Sequence, residues 1–222
     1  GSIPGFSINI ESDEFYKQVR EISIAVIGQT ANITPADKKL YALRDVTGTV
    51  NSIGLIASSI MSKKLASGAQ SIILDVKVGD GAFMKNIDQA IELAKSMVQI
   101  GKAYGRNMII VLSDMAEPLG NMVGNSIEVI EAIETLKGKG PDSFRNFCYD
   151  LVSEMLVETK VCDTYDQAKK MVQEKIKSGE ALNKFKEMII YQHGDPSVIN
   201  DYSLLPSAKS KVNYLTFVFD KC

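Results

Sequence analysis

Three short apolar runs alternate along the chain with longer segments in which apolar residues recur every three or four positions. The runs are rich in isoleucine and valine and end at glycine or aspartate; they cover residues 22–28, 71–79 and 107–114. Such runs are typical of strands covered on both faces, as in a parallel sheet. Between the second and third run, residues 87–98 have helical periodicity, and Gly101 and Gly105 are predicted to close this helix. The order predicts an α/β fold, with a mainly parallel sheet flanked by helices.

The rest of the pattern is helical. Residues 36–49 and 51–66 form a predicted helix pair with a break near Gly48. From about residue 125 onward the apolar spacing is helical throughout, and Thr164 followed by Gln167 predicts a capping box that opens another helix. The final residues 213–222 suit either a strand or a frayed tail.

The helix pair carries polar side chains in a mostly apolar setting. Ser59 and Lys63 are four residues apart and would share one helix face, and Arg44 precedes them on the first helix. A guanidinium, a hydroxyl and an ammonium together suit a flat polar ligand. The spacing alone leaves simpler interpretations open, in which Lys63 is solvated, Ser59 is a small packing residue and Arg44 pairs with Asp45 at the surface.

The ends of the predicted strands offer weaker candidates. Lys77 lies inside an apolar run and needs a partner if it is buried, and Asp75 on the same strand face is the nearest one. The pair is either a simple ion pair or part of a ligand site. The loop 113–125 follows the third run, and its carbonyl oxygens with Glu131 suggest a cation site; a plain connecting loop is the alternative. His193, the single histidine, lies in a turn and is expected to be exposed.

Composition narrows the class of protein. The chain has 222 residues, 45% of them apolar, which is enough for one large domain or two small ones. A net charge of −2 argues against nucleic acid or an anionic membrane as partner, and no apolar run reaches the length of a membrane span. Three cysteines without metal-ligand spacing predict a reduced, cytoplasmic protein. No Ser/His/Asp set, zinc motif or Walker loop is present.

Residues 33–84 ("ITPADKKLYALRDVTGTV" through "DVKVGDGAFM") and 114–133 ("DMAEPLGNMVGNSIEVIEAI") resemble the pyrimidine-nucleoside phosphorylase family, which includes thymidine phosphorylase. The resemblance extends over residues 3–206. It implies a small helical domain containing residues 36–66 and an α/β domain containing residues 3–35 and 67–206, followed by a divergent tail at 207–222. The implied reaction is the conversion of a pyrimidine nucleoside and phosphate to free base and pentose 1-phosphate.

The resemblance also implies roles for individual residues. Arg44, Ser59 and Lys63 would hold the base, and Arg44 and Lys63 would act in catalysis by stabilising the departing base. The remaining substrate-binding residues would be Tyr41, Ile56 and Phe83. Main-chain oxygens of Leu119 and Met122 with Glu131 would hold potassium or another cation. Phosphate would be the co-substrate, and no organic cofactor is expected.

The family's phosphate-binding pattern Lys-x-Ser-x-Gly-Gly and its Gly-His-Thr-Gly-Gly-Thr segment do not occur in these 222 residues. We therefore expect the base-binding half of a site, without phosphorolysis by this chain alone, and a further family domain is not recognised either. The resemblance implies a homodimer through the helical domain, and unpaired strand edges predict larger self-association. Two alternatives stay open: a non-catalytic fragment or interaction module, and a phosphoribosyltransferase of related fold.

Overall fold

The structure is a computed structural model that describes residues 1–28 and 34–213. Its helices and strands follow one another in the order α1 (Ser12–Ile22), α2 (Pro35–Thr47), α3 (Ile53–Ala66), β1 (Ser71–Val78), α4 (Ile87–Ala103), β2 (Asn107–Asp114), α5 (Asn125–Leu136), α6 (Asp142–Glu158), α7 (Tyr165–Lys177) and α8 (Glu180–Tyr191). Two short 3₁₀ helices follow at Pro196–Ile199 and Tyr202–Leu204. None of the helices in this part of the chain is long and apolar enough to cross a membrane.

The two strands pair in parallel, in register from Ser71 opposite Asn107 to Val78 opposite Asp114. Helix α4 provides the crossover between them, as a parallel connection requires. The predicted α/β class with a parallel sheet is therefore confirmed, and in the described residues the sheet has two strands. The carboxyl ends of both strands lie at the same edge, next to the loops 79–86 and 115–124.

The two faces of the sheet differ in chemistry. Even-numbered residues of both strands pack with α3 and α4 in one apolar core, which includes Met61, Ile72 and Met97. Odd-numbered positions, among them Asp75 and Lys77, point to the other face because side chains alternate along a strand. A second core joins α5 and α8 to the amino-terminal segment and to residues 196–205, around Ile133, Ile189 and Val198.

The predicted strand at 22–28 is wrong. Helix α1 continues to Ile22 and ends because Ser23 adopts a left-handed conformation, with φ 62°. Residues 24–28 are not part of the sheet. At Val26 their main chain is bound instead by the buried amide of Gln192, which accepts from the Val26 N–H at 2.9 Å and donates to the Val26 carbonyl at 2.7 Å. A side chain thus satisfies the groups that a neighbouring strand would otherwise bind.

The prediction that Gly101 closes the helix at residues 87–98 is also wrong. Helix α4 runs to Ala103, and Gly101 is buried within it. A Cβ at Gly101 would overlap the Met108 sulfur unless that side chain moved, so α4 and β2 are in close contact here. The break comes at Gly105, whose φ is 66°. By contrast, the predicted helix start at Thr164 is confirmed: the Thr164 side chain accepts from the Gln167 N–H at the start of α7.

The domain division at residues 36–66 remains a prediction. In the tail, residues 207–213 form neither helix nor strand. The predicted strand or frayed tail at 213–222 lies, apart from Asn213, outside the described residues.

Candidate active site

Arg44 is buried at the turn that joins α2 to α3. Helix α2 ends where Gly48 adopts a left-handed conformation with φ 66°, and the turn brings the start of α3 back toward Arg44. The Arg44 side chain is 5% exposed. Its guanidinium donates to the carbonyl of Val50 and, at 3.4 Å, to the carbonyl of Leu55. The Tyr41 ring lies 5.0 Å from the guanidinium carbon, within cation–π range. Arg44 therefore is no surface residue.

Lys63 and Ser59 contact each other on α3, as their spacing predicts. The Lys63 ammonium donates to the Ser59 hydroxyl at 2.9 Å and to a carboxylate oxygen of Asp37 on α2 at 2.6 Å. Ser59 is buried. The side chain of Lys63 keeps 30% of its surface exposed, against 10% for Asp37. An ammonium has three N–H donors, and these two contacts use two of them.

The contacts of Arg44 and Lys63 lie along one line between the two helices. On α2, Asp37 and Arg44 are seven residues apart and share a face. Asp37 meets Lys63 near the end of α3, whereas Arg44 meets the carbonyl of Leu55 near its start. The helices therefore run antiparallel, and Asp37, Arg44, Ser59 and Lys63 form one row, which we call the polar seam.

Asp37 is the member of the polar seam that the sequence analysis missed. Its position in the first helical turn after Pro35 and its seven-residue spacing from Arg44 were visible in the sequence. Neither signal predicts that Asp37 pairs with Lys63, because this pairing depends on how α3 packs against α2.

The seam combines charges of both signs. Burial raises the pKa of Asp37, but hydrogen bonds with Lys63 and Ser59, together with the positive charges of Lys63 and Arg44, outweigh this effect and hold its pKa below the ordinary value. Asp37 is thus ionised at neutral pH. With two cations and one anion, the charged side chains of the seam sum to +1. Such a site suits a ligand that carries or develops a single negative charge.

A cavity of about 280 Å³ lies beside Lys63. Its wall includes Ile27 and Gly28 from the segment that Gln192 holds, Thr34 just before α2, and Phe15 from α1. Lys63 is the one member of the polar seam that lines this cavity. In addition, the Arg44 Nε–H is buried without a hydrogen-bond partner in the described part of the chain. Lys63 thus stands at the cavity wall, whereas the Arg44 Nε–H is enclosed by protein.

The predicted apolar residues are separated. Ile56 is partly buried and packs against the core between α3, β1 and α4. Phe83 is 65% exposed and lines a different cavity, of about 470 Å³, with Asn51 and Ile53 at the start of α3. The structure thus brings Tyr41 to Arg44 and Ser59 to Lys63, but Phe83 shares no cavity wall with Lys63.

Glu131 lies under the loop that follows β2. It is 8% exposed, and its carboxylate accepts the N–H groups of Asn121 at 2.9 Å and Met122 at 3.5 Å. The carboxylate lies close against Gly120, where a Cβ would overlap a Glu131 oxygen. The predicted cation residues Leu119, Met122 and Glu131 line one cavity of about 570 Å³. Among the described residues, no three His, Cys, Asp or Glu side chains form a metal-binding group.

The predicted ion pair on β1 is present. Lys77 Nζ lies 2.6 Å from an Asp75 oxygen and 4.3 Å from the centre of the Phe147 ring of α6. Ser113, opposite Lys77 on β2, donates to the second Asp75 oxygen. Local sequence signals do not reveal Phe147 or Ser113, which come from distant segments. Asp75 and Lys77 therefore contact each other, and each has a further partner from a distant segment.

His193 is exposed, as expected. Its Nε2 lies 3.4 Å from a Glu14 oxygen, and 65% of its side-chain surface is accessible. The polar seam contributes no atom to this contact.

The sequence that folds in this way matches a family of transferases. The model of the glycosyl transferase family, a/b domain, matches residues 1–182. The chain belongs to this family.

Within the family, the chain is similar to the pyrimidine-nucleoside phosphorylases, which confirms the resemblance seen in the sequence. It is 54% identical over 212 residues to the pyrimidine-nucleoside phosphorylase of Bacillus subtilis, covering 96% of this chain and 49% of that protein. The enzyme of Geobacillus stearothermophilus is 53% identical over 208 residues, which is 94% of this chain and 48% of its own length. The chain thus spans about half the length of the curated relatives it matches.

Proposed function

We propose that this chain carries the base-binding part of a pyrimidine-nucleoside phosphorylase, an enzyme that converts a pyrimidine nucleoside and phosphate to free base and pentose 1-phosphate. The supporting observation is the polar seam, where Arg44 and Lys63 lie on facing helices beside the buried hydroxyl of Ser59. The similarity to pyrimidine-nucleoside phosphorylases over nearly the whole chain gives the ligand class.

The proposed chemistry needs no protein nucleophile. A phosphate oxygen forms a bond to C1′ of the pentose while the bond from C1′ to the base nitrogen breaks, and the bonding electrons leave with the base. Negative charge then develops on the two carbonyl oxygens of the pyrimidine. The third N–H of Lys63 and the guanidinium of Arg44 donate to these oxygens, and Ser59 pairs with the base edge. Preorganised donors of this kind lower the barrier because they bind the charge as it forms.

The attacking phosphate must be held by other residues. The family's phosphate-binding pattern does not occur in these 222 residues. We therefore propose that the whole protein completes the site and that this chain alone binds a pyrimidine base weakly. Release of uracil from uridine, or of thymine from thymidine, by the purified 222-residue chain with phosphate would contradict this proposal.

A pair of lysine substitutions in the whole protein tests the role of the seam. Lys63→Met removes the ammonium and keeps the length of the side chain. We expect kcat/KM for uridine phosphorolysis to fall by about 10²- to 10³-fold, the usual cost of one lost donor to a developing oxyanion. Lys39→Met is the matched control, since Lys39 is exposed on α2, and its rate should stay within about twofold. Equal effects of the two changes would refute a specific role for Lys63.

Glu131 with main-chain oxygens of Leu119 and Met122 is the proposed site of potassium or another cation. The carboxylate is buried and ordered by the Asn121 and Met122 N–H groups, and all three proposed ligand residues line one cavity. Glu131→Gln keeps the shape and removes the charge. Potassium should raise the melting temperature of the unsubstituted chain and leave that of Glu131→Gln unchanged. An equal rise in both would remove Glu131 from the proposed site.

We also propose a cytoplasmic protein that forms a dimer through α2 and α3, or larger assemblies. Helix α2 exposes the apolar side chains of Leu40, Leu43 and Val46, which is unusual for a face in contact with water alone. A monodisperse monomer at high concentration in sedimentation would contradict this proposal. Val46→Glu would show whether α2 forms the contact, because it should shift an observed dimer to monomer.

A further inference from the structure

Lys63 has a long and flexible side chain, yet its ammonium is fixed from two sides. Asp37 reaches it from α2 at 2.6 Å, and Ser59 reaches it from α3 at 2.9 Å. Because the donors of an ammonium are arranged tetrahedrally, fixing two of them sets the direction of the third. The carboxylate of Asp37 thus orders a lysine that stands at the wall of the cavity described above.

We propose that Asp37 is a positioning residue for Lys63, which it holds across the helix pair so that the remaining N–H meets a pyrimidine carbonyl; the inference rests on the proposed function. A lysine on a four-carbon stem otherwise loses rotamer freedom only when the ligand binds, and this loss weakens binding. Contact with Asp37 moves that cost to the folding of the chain.

Asp37 also sets the charge of the polar seam. Without it, the Lys63 ammonium would lose its ion pair and keep only the Ser59 hydroxyl of these two partners, so the flexible lysine would extend into solvent. With it, the seam sums to +1, which matches one departing anionic base. The short contact from Asp37 to Lys63 and the side-chain exposure of only 10% for Asp37 distinguish it from a solvated surface acid.

Asp37 also stabilises helix α2 through its position, and the experiment must distinguish this effect from the contact with Lys63. It lies in the first turn of α2, where a carboxylate favours the helix whatever its partner. Asp88 occupies the first turn of α4 and is exposed. Asp88→Asn therefore removes a first-turn charge without touching the seam, and is the matched control for Asp37→Asn.

The experiment has two readouts on the 222-residue chain. The first is the NMR order of the Lys63 side-chain ammonium, assigned with Lys63→Arg; the second is uracil affinity from NMR titration. In Asp37→Asn the ammonium should become mobile and uracil should bind about three- to tenfold more weakly, the cost of ordering one long side chain. Asp37→Glu should keep the ammonium ordered and retain most of the affinity. Asp88→Asn should change neither readout.

The outcomes separate this inference from the proposed function. An ammonium that stays ordered in Asp37→Asn, or uracil affinity that Asp37→Asn leaves unchanged, overturns the role of Asp37 alone. A complete lack of pyrimidine binding by the unsubstituted chain and by the whole protein overturns the proposed function, and the inference with it. If Asp37→Asn does not fold, Asp37→Ser keeps a small polar residue in the first turn and replaces it, with the same expected results.

Discussion

Gln192 is expected to be among the most sensitive positions in the chain. Its amide is fully buried. It binds Ser7, Gln18 and Val26, which all lie near the amino end of the chain and far from Gln192 in sequence. The Nε2 group donates to the Ser7 carbonyl at 2.8 Å and to the Val26 carbonyl at 2.7 Å. The Oε1 atom accepts from the Val26 N–H at 2.9 Å and from the Gln18 amide at 3.3 Å. Gln192→Leu removes all four hydrogen bonds and nearly preserves the volume.

The magnitude follows from these contacts. A hydrogen bond contributes about 1 kcal/mol net to stability, so four give about 4 kcal/mol. Val26 is exposed, and water can replace some of its lost partners. We therefore expect the free energy of unfolding to fall by about 2–4 kcal/mol, because the Ser7 carbonyl and part of the Gln18 amide remain unpaired. Urea unfolding followed by circular dichroism measures this change.

Hydrogen exchange makes the test specific. The N–H of Val26 should lose protection in Gln192→Leu, since Gln192 is its acceptor. Gln173→Leu is the control, because Gln173 is exposed on α7 and should change stability by less than about 0.5 kcal/mol. A loss below about 1 kcal/mol in Gln192→Leu, with Val26 exchange unchanged, would refute the view that this amide replaces a strand neighbour.

Three further predictions concern other parts of the fold. Gly101→Ala should destabilise the chain by about 0.5–2 kcal/mol in chemical unfolding, since moving the Met108 side chain away from the new methyl group costs about 1–3 kcal/mol and the higher helix propensity of alanine offsets up to about 1 kcal/mol; a stabilised variant would refute the close contact. Thr164→Ala should cost about 1 kcal/mol by loss of the α7 cap, whereas Thr164→Ser should not, and equal losses would contradict capping. Because the pKa of Asp37 is lowered by folding, its ionised form stabilises the chain above the ordinary pKa of about 3.9, and this contribution is lost as the pH falls through the lower folded value. The stability difference between the unsubstituted chain and Asp37→Asn should therefore shrink in acid; a difference independent of pH would contradict the ion pair.

The candidate site was only partly accessible from the sequence. The four-residue spacing of Ser59 and Lys63 predicts their contact, because it depends on helix geometry alone. Arg44 could equally have been a surface residue by its local pattern, and its burial follows from the return of α3 over α2. Asp37 was missed for the same reason. Phe83 is a further difference: family resemblance predicts a residue of the base pocket, yet here it is exposed and lines a separate cavity.

Local signals determined much of this chain: the helical periodicity of 87–98, the cap at Thr164 and the parallel strands at 71–79 and 107–114. These features depend on neighbours within a few residues, where spacing and side-chain chemistry are sufficient. The run at 22–28 has the same apolar character as a strand, but its backbone is bound by the amide of Gln192, more than 160 residues away. Only the tertiary structure decided that outcome and the pairing of Asp37 with Lys63, because both depend on which distant groups reach the same place.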